Sequence, residues 1–258
     1  MIANVHSIET FSSVDGPGIR YVLFLQGCNM ACKFCHNIDA TFKTKNKMMT
    51  VDEVVEDYLK YQAFYKNGGI TVSGGEPLLQ KEFILELFKK LKALGVHTAI
   101  QTSGSVYRDI TIFDEIIALT DLFIIDLKGV NNYEAYKLAR AKINNTFKLF
   151  DKLNSLNKQF LISYVLLPEV NDSDEIAQDL AKILKQYDSN NFQFKVLGYH
   201  KLGVEKWKRL GLKYELEDVR EATKEDIRIF LDKIRKYSKR DSKEIKFSIN
   251  KGEELRTV

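Results

Sequence analysis

The sequence has little proline, three residues in 258, and equally few cysteines. Glycine gathers at the ends of apolar runs, not in linker-like stretches, so there is no low-complexity segment, no flexible linker and no internal repeat. No apolar run approaches bilayer-spanning length, and no basic leader with an apolar segment opens the chain, so a cytoplasmic location is expected. Charge of one sign is never concentrated: 39 basic and 35 acidic side chains are scattered along the chain, for a formal charge of +4. The more basic stretches, Lys43–Lys47 and Lys233–Arg240, read as solvated loop and helix faces, and nucleic acid is not expected as a partner. The remaining composition, 45% hydrophobic and 29% charged, is that of a globular chain.

The short apolar runs carry the fold. Strands are expected near Tyr21–Leu25, Ile70–Val72, Thr98–Gln101, Leu122–Ile125, Phe160–Leu166 and Phe192–Val196, separated by segments of helical period. Two of those segments open with a hydroxyl three residues before an acid, Thr50 with Glu53 and Thr223 with Asp226, the signature of a capped helix start. Behind them the stripes Val54, Val55, Tyr58, Leu59 and Ile227, Phe230, Ile234 are core faces. Alternating strands and helices predict an α/β fold with parallel strands, and six units predict a partial (β/α)6 TIM-like barrel. One domain over 1–258 is expected, with a core at about 17–200 and a C-terminal extension at 201–258. Right-handed crossovers would bring all strand carboxyl ends to one face, and the open side of a partial barrel would admit a macromolecular substrate.

Chemistry-bearing residues do recur just after the expected strands: the cysteines, then Ser73-Gly-Gly-Glu76, Gln101-Thr-Ser-Gly104, Asp126-Leu-Lys128 and His200. All three cysteines, Cys28, Cys32 and Cys35, lie within eight residues. An odd number packed this tightly points to a metal site, not to a disulfide framework. Three thiolates can serve three irons of a [4Fe-4S] cube and leave the fourth iron open. A tetrahedral zinc site using the same cysteines with His36 is the alternative, although adjacent Cys35 and His36 make joint ligation awkward. In Ser73-Gly-Gly-Glu76-Pro77 the glycines suit a tight turn, Asp126 and Lys128 could form a plain ion pair, and His200 could be a surface imidazole.

The C-x3-C-x2-C run resembles the signature of the radical S-adenosylmethionine (SAM) superfamily, in which the methionine amino and carboxylate groups occupy the open iron. One electron then cleaves the sulfonium to methionine and a hydrogen-abstracting 5′-deoxyadenosyl radical. Within it, Asp15-Gly-Pro-Gly-Ile-Arg20 and the C-terminal Tyr199-His-Lys-Leu-Gly203, Lys206-Trp207, Leu210-Gly211 and Tyr214 resemble the pyruvate formate-lyase activating enzymes. No second cysteine-rich insert of the kind found in other glycyl-radical activases is present. The resemblance implies a [4Fe-4S] cluster on Cys28, Cys32 and Cys35. It implies SAM contacts from Phe34, His36, Gly74, Gly75, Glu76, Asp126, Lys128 and His200, and a contact of Asp15 with the glycine-bearing loop of a substrate protein. Pyruvate formate-lyase is the implied protein substrate, flavodoxin or ferredoxin the electron donor, and a monomer is expected.

The chain departs from the family at two points. An acidic ligand to a monovalent cation is replaced by Gln101, leaving Thr102 and Asp126 for that ion, and a carboxylate-binding arginine on the fifth expected strand is replaced by Ser163. The same cofactor acting on another glycyl-radical enzyme or on a small molecule is one rival reading. A zinc-stabilised binding module without turnover is the other.

Overall fold

The structure, a computed structural model, describes residues 1–238 and the backbone of 247–248; Lys239 and Arg240 of the second basic stretch lie outside the described residues. Its chain divides into two compact units, one formed by Met1–Met30 and Asn37–Ile125, the other by Ala31–His36 and the chain from Asp126 on.

In the first unit the strands are β1 (Ile2–Ser12), β2 (Arg20–Leu25), β3 (Lys47–Thr50), β4 (Gly69–Gly74), β5 (Thr98–Thr102) and β6 (Leu122–Leu127), the last crossing the unit boundary after Ile125. They lie in the order β3-β1-β2-β4-β5-β6. β2, β4, β5 and β6 run parallel, in a register that sets Leu23 beside Val72, Val72 beside Ile100 and Ile100 beside Phe123. Tyr21, Leu23, Ile70, Val72, Ile100 and Phe123 are all buried, which is why these strands read as near-continuous apolar runs. Three helices follow the strands: α1 (Val51–Lys60), α2 (Lys81–Ala93) and α3 (Thr111–Leu119). At the start of α1, Thr50 and Glu53 close the expected reciprocal cap. Val54 and Tyr58 of the expected stripe are buried, whereas Val55 and Leu59 are only half-buried.

The second unit holds β7 (Phe160–Leu166), β8 (Phe192–Gly198) and β9 (Phe247–Ser248), also parallel, with Phe160 beside Phe192 and Leu166 beside Gly198. Its helices are α4 (Asn132–Ala139), α5 (Asn144–Ser155), α6 (Asp174–Leu184), α7 (Val204–Arg209) and α8 (Lys224–Ser238). Phe150, Phe160 and Phe192 stack in sequence, with centroids 5.8 and 5.7 Å apart. At the start of α8, Thr223 Oγ1 accepts from the Asp226 N–H at 3.1 Å while Asp226 accepts from the Thr223 N–H at 2.7 Å, the second expected cap.

The expected α/β class and the six parallel strands are borne out, each within a few residues, and Phe160–Leu166 has the expected bounds. β1 and β3 were unforeseen; β1 runs antiparallel to β2 and to β3, so the turn at Asp15–Arg20 joins two antiparallel neighbours.

Candidate active site

In the first unit the chain leading to Cys28 is fixed from both sides. The Gly27 and Cys28 N–H groups donate to Ala40 O and Thr41 O at 2.7 and 3.0 Å, and the Met30 N–H reaches Cys28 Sγ at 3.4 Å. On the facing turn, the Gly75 N–H donates to Leu25 O and the Glu76 N–H to Gly27 O, at 3.0 and 2.9 Å. Side chains would not fit there: a Cβ on Gly74 would lie 2.1 Å from Leu25 O, and one on Gly75 2.3 Å from Gly27 O. The two glycines therefore press the turn against the backbone that carries Cys28.

Glu76, 1% exposed, binds neighbouring protein groups. Its Oε1 accepts from the Thr102 hydroxyl at 2.5 Å and the Leu78 N–H at 3.2 Å, and its Oε2 accepts from the Ser103 N–H and hydroxyl at 3.0 and 2.5 Å. Burial lifts its carboxyl above the ordinary 4.5, opposed by these donors. Glu76 thus ties the turn after β4 to the turn after β5. Thr102 is engaged twice, since its hydroxyl also accepts from the Gly104 N–H at 2.9 Å, and Gln101 accepts from Ser73 at 3.3 Å.

The turn carrying Asp15 is anchored from beneath by Arg20, which is fully buried. Its guanidinium donates to Thr71 Oγ1 at 2.6 Å, to Ile70 O at 2.5 Å and to Pro17 O at 3.2 Å. Burial pulls it down to about 10, so it stays charged at neutral pH. Thr71 in turn donates to Asp15 O at 2.7 Å, and Ser12 donates to the Asp15 carboxylate.

In the second unit, Cys32 and Cys35 sit on a short loop hung from the end of α4. The Ala31 and Lys33 N–H groups donate to Ala139 O and Leu138 O at 3.0 and 2.9 Å, and the Cys35 N–H donates to Cys32 O at 3.1 Å. Lys128 Nζ lies 5.7 Å from the Phe34 ring centroid and 3.3 Å from Asp126 Oδ2, and Ser163 donates its hydroxyl to Asp126 Oδ1. Asp126 is thus met by the Lys128 ammonium on one oxygen and the Ser163 hydroxyl on the other. His36 and His200 meet edge to face, with ring centroids 5.2 Å apart.

Burial pushes the Cys32 thiol up to about 11, against the pull of Lys128. Burial also works against the Lys128 ammonium, but Asp126, Cys32 and Cys35 outweigh it and hold the group above its ordinary value. Lys128 opposes the burial of Cys32 and pulls it toward thiolate, the ligand form that iron requires, without overcoming that burial. Three free cysteines, without a fourth in the sequence, are a soft donor set whose chemistry suits a [4Fe-4S] cube with one open iron. Among the described residues, no three His, Cys, Asp or Glu side chains are placed to hold a single metal ion.

The sequence reading missed Ser103, whose only signal was its place in Gln101-Thr-Ser-Gly104, and the anchoring part played by Arg20. Trp207, noted there only as part of a resemblance, donates its indole N–H to Cys35 O at 2.9 Å.

The fold is shared with enzymes of known class. A radical SAM methyltransferase from Sphaerobacter thermophilus superposes with a TM-score of 0.58 at 16% identity, over 90% of this chain and 67% of that one. SuiB of Streptococcus suis, solved bound to S-adenosylmethionine, superposes with a TM-score of 0.64 at 17% identity, over 87% of this chain and 48% of that one. This is the radical SAM fold. In sequence, residues 14–146 match the family described as a 4Fe-4S single cluster domain. The pyruvate formate-lyase-activating enzyme of Staphylococcus epidermidis is 42% identical over 237 residues, covering 87% of this chain and 94% of that one. The chain belongs to the pyruvate formate-lyase-activating enzyme family, and it is an oxidoreductase of that activating type.

Proposed function

We propose that this chain holds a [4Fe-4S] cluster on Cys28, Cys32 and Cys35, binds SAM, and forms a glycyl radical on pyruvate formate-lyase. Cys28, Cys32 and Cys35 would hold the cluster, which when bound would supply the one electron for reductive cleavage of SAM, so that methionine and 5′-deoxyadenosine would be formed as one glycine α-carbon gives up a hydrogen atom. Reduced flavodoxin or ferredoxin is the source of that electron.

The protein's own residues bind, orient and exclude water. Phe34, His36 and His200 receive the nucleoside, and Asp126 with Lys128 meets its polar groups. The Gly74-Gly75-Glu76 turn offers backbone to the methionine, with the Glu76 carboxylate setting the turn's shape. Thr102 and Asp126 are the candidate ligands of a monovalent cation. Asp15, on its Arg20-anchored turn, contacts the glycine loop of the partner. The enzyme acts as a cytoplasmic monomer, and no helix among the described residues is long and apolar enough to cross a membrane.

The observation that carries this reading is the three-cysteine loop in a chain aligned over nearly its whole length with an activating enzyme. The test is electron paramagnetic resonance on anaerobic, iron-loaded protein with reductant, SAM and pyruvate formate-lyase. A glycyl radical signal is expected; its absence from a mixture whose protein carries the cluster refutes the assignment.

A further inference from the structure

The loop from Ala31 to His36 is gripped at both ends. At its start, the Ala31 and Lys33 amides are tied to the last carbonyls of α4. At its end the grip comes from α7, 172 residues further along, where Trp207 donates its indole N–H to Cys35 O at 2.9 Å. Gly203, the residue before α7, lies so close that a Cβ there would stand 2.9 Å from His36 Cα and 3.0 Å from His36 O. Trp207 is itself buried and braced: its ring meets Tyr214 edge to face at 5.4 Å, and the Tyr214 and Tyr199 hydroxyls are 2.7 Å apart. Lys33, within the loop, pairs with Glu215 at 2.7 Å, from the same later segment.

From these contacts we infer that α7, through Trp207 and Gly203, is a clamp that sets where Cys35 presents its thiolate, making Trp207 a positioning residue for the cluster. The inference rests on the cluster reading above and goes beyond it. A cysteine sulfur hangs from its Cα by one rotatable bond, so whatever fixes the Cys35 backbone fixes the direction from which sulfur approaches iron. The three amide bonds of the loop hold its first part and its internal turn. The indole bond and the Gly203 contact hold the carbonyl side of Cys35. Partners that orient a metal's ligands govern how firmly the metal is kept and how its electrons are distributed.

Two variants separate this role from general packing. Trp207→Phe keeps an aromatic ring against Tyr214 and removes the N–H, whereas Gly203→Ala leaves the indole intact and crowds His36. The experiment loads wild type and both variants with iron and sulfide under nitrogen. It then follows iron release to a chelator and the resonance spectrum of the reduced cluster, and checks folding by circular dichroism of the iron-free proteins. Both variants should fold and load, release iron roughly tenfold faster than wild type, as loss of a ligand-orienting partner does elsewhere, and show shifted g-values. Trp207 is the chain's only tryptophan, so its emission should move in Gly203→Ala. Wild-type release rates and spectra in both variants would overturn the inference while leaving the cluster reading intact, and if one variant fails to fold, the other decides. Failure of the wild type to take up a cluster would overturn the reading and this inference together.

Discussion

Ser103 meets Glu76 twice, donating its backbone N–H and its hydroxyl to Oε2 at 3.0 and 2.5 Å. The opposite oxygen is taken by Thr102 and Leu78. A buried carboxylate with four protein donors holds two turns together, which gives the acid of the Gly-Gly-Glu turn a structural duty of its own.

Glu76→Gln follows directly. The amide nitrogen would turn a donor toward donors in a buried site, a mismatch that costs about 1–3 kcal/mol. Urea unfolding of the iron-free protein should show a lower midpoint with an unchanged slope. An unchanged midpoint would mean that the carboxylate does not bind the two turns.

Acid should loosen the Asp15 turn through His97. Arg20 Nη2 lies 3.3 Å from His97 Nδ1, and since arginine only donates, that nitrogen accepts and is unprotonated. Burial, then Arg20, hold His97 below its ordinary 6.5, with Asp121 opposing. The unfolded chain therefore binds a proton that the folded one resists, and stability falls as pH drops from 6.5 toward the folded value. Urea midpoints at neutral and mildly acidic pH should diverge in wild type and converge in His97→Gln. Equal divergence in both would remove His97 from the account.

Ser163→Ala tests the contact between Ser163 and Asp126. Deleting the hydroxyl that donates to Asp126 frees the carboxylate to turn, and SAM affinity should fall about fivefold, roughly 1 kcal/mol. Equilibrium binding to cluster-loaded protein measures it. Unaltered affinity would show that the Ser163 hydroxyl does not orient Asp126 for SAM.

Much of this molecule was legible before any coordinates. Leu122-Phe-Ile-Ile125 and Phe160–Leu166 could be recognised because strands covered on both faces are mostly apolar, with Ser163 the polar interruption. β1 could not: its burial alternates irregularly, its pairing with β2 slips between Val5 and Ser7 and again between Glu9 and Ser12, and polar residues interrupt it. β3 is four residues long, too short to carry a period. Around the candidate site, the loops after parallel strands could be marked in advance, because their chemistry-bearing residues are clustered in sequence. Their supporting partners could not, since Ser103, Ser163 and Trp207 reach Glu76, Asp126 and Cys35 across 27, 37 and 172 residues. No local pattern encodes such pairings.

The most direct test of the account is the amount of 5′-deoxyadenosine formed when iron-loaded protein is reduced anaerobically with SAM, with and without pyruvate formate-lyase. The account predicts cleavage by wild type, more of it when the partner is present, and none when any one of Cys28, Cys32 or Cys35 is changed to alanine. Protein that carries about four irons yet yields no 5′-deoxyadenosine in either mixture would contradict it.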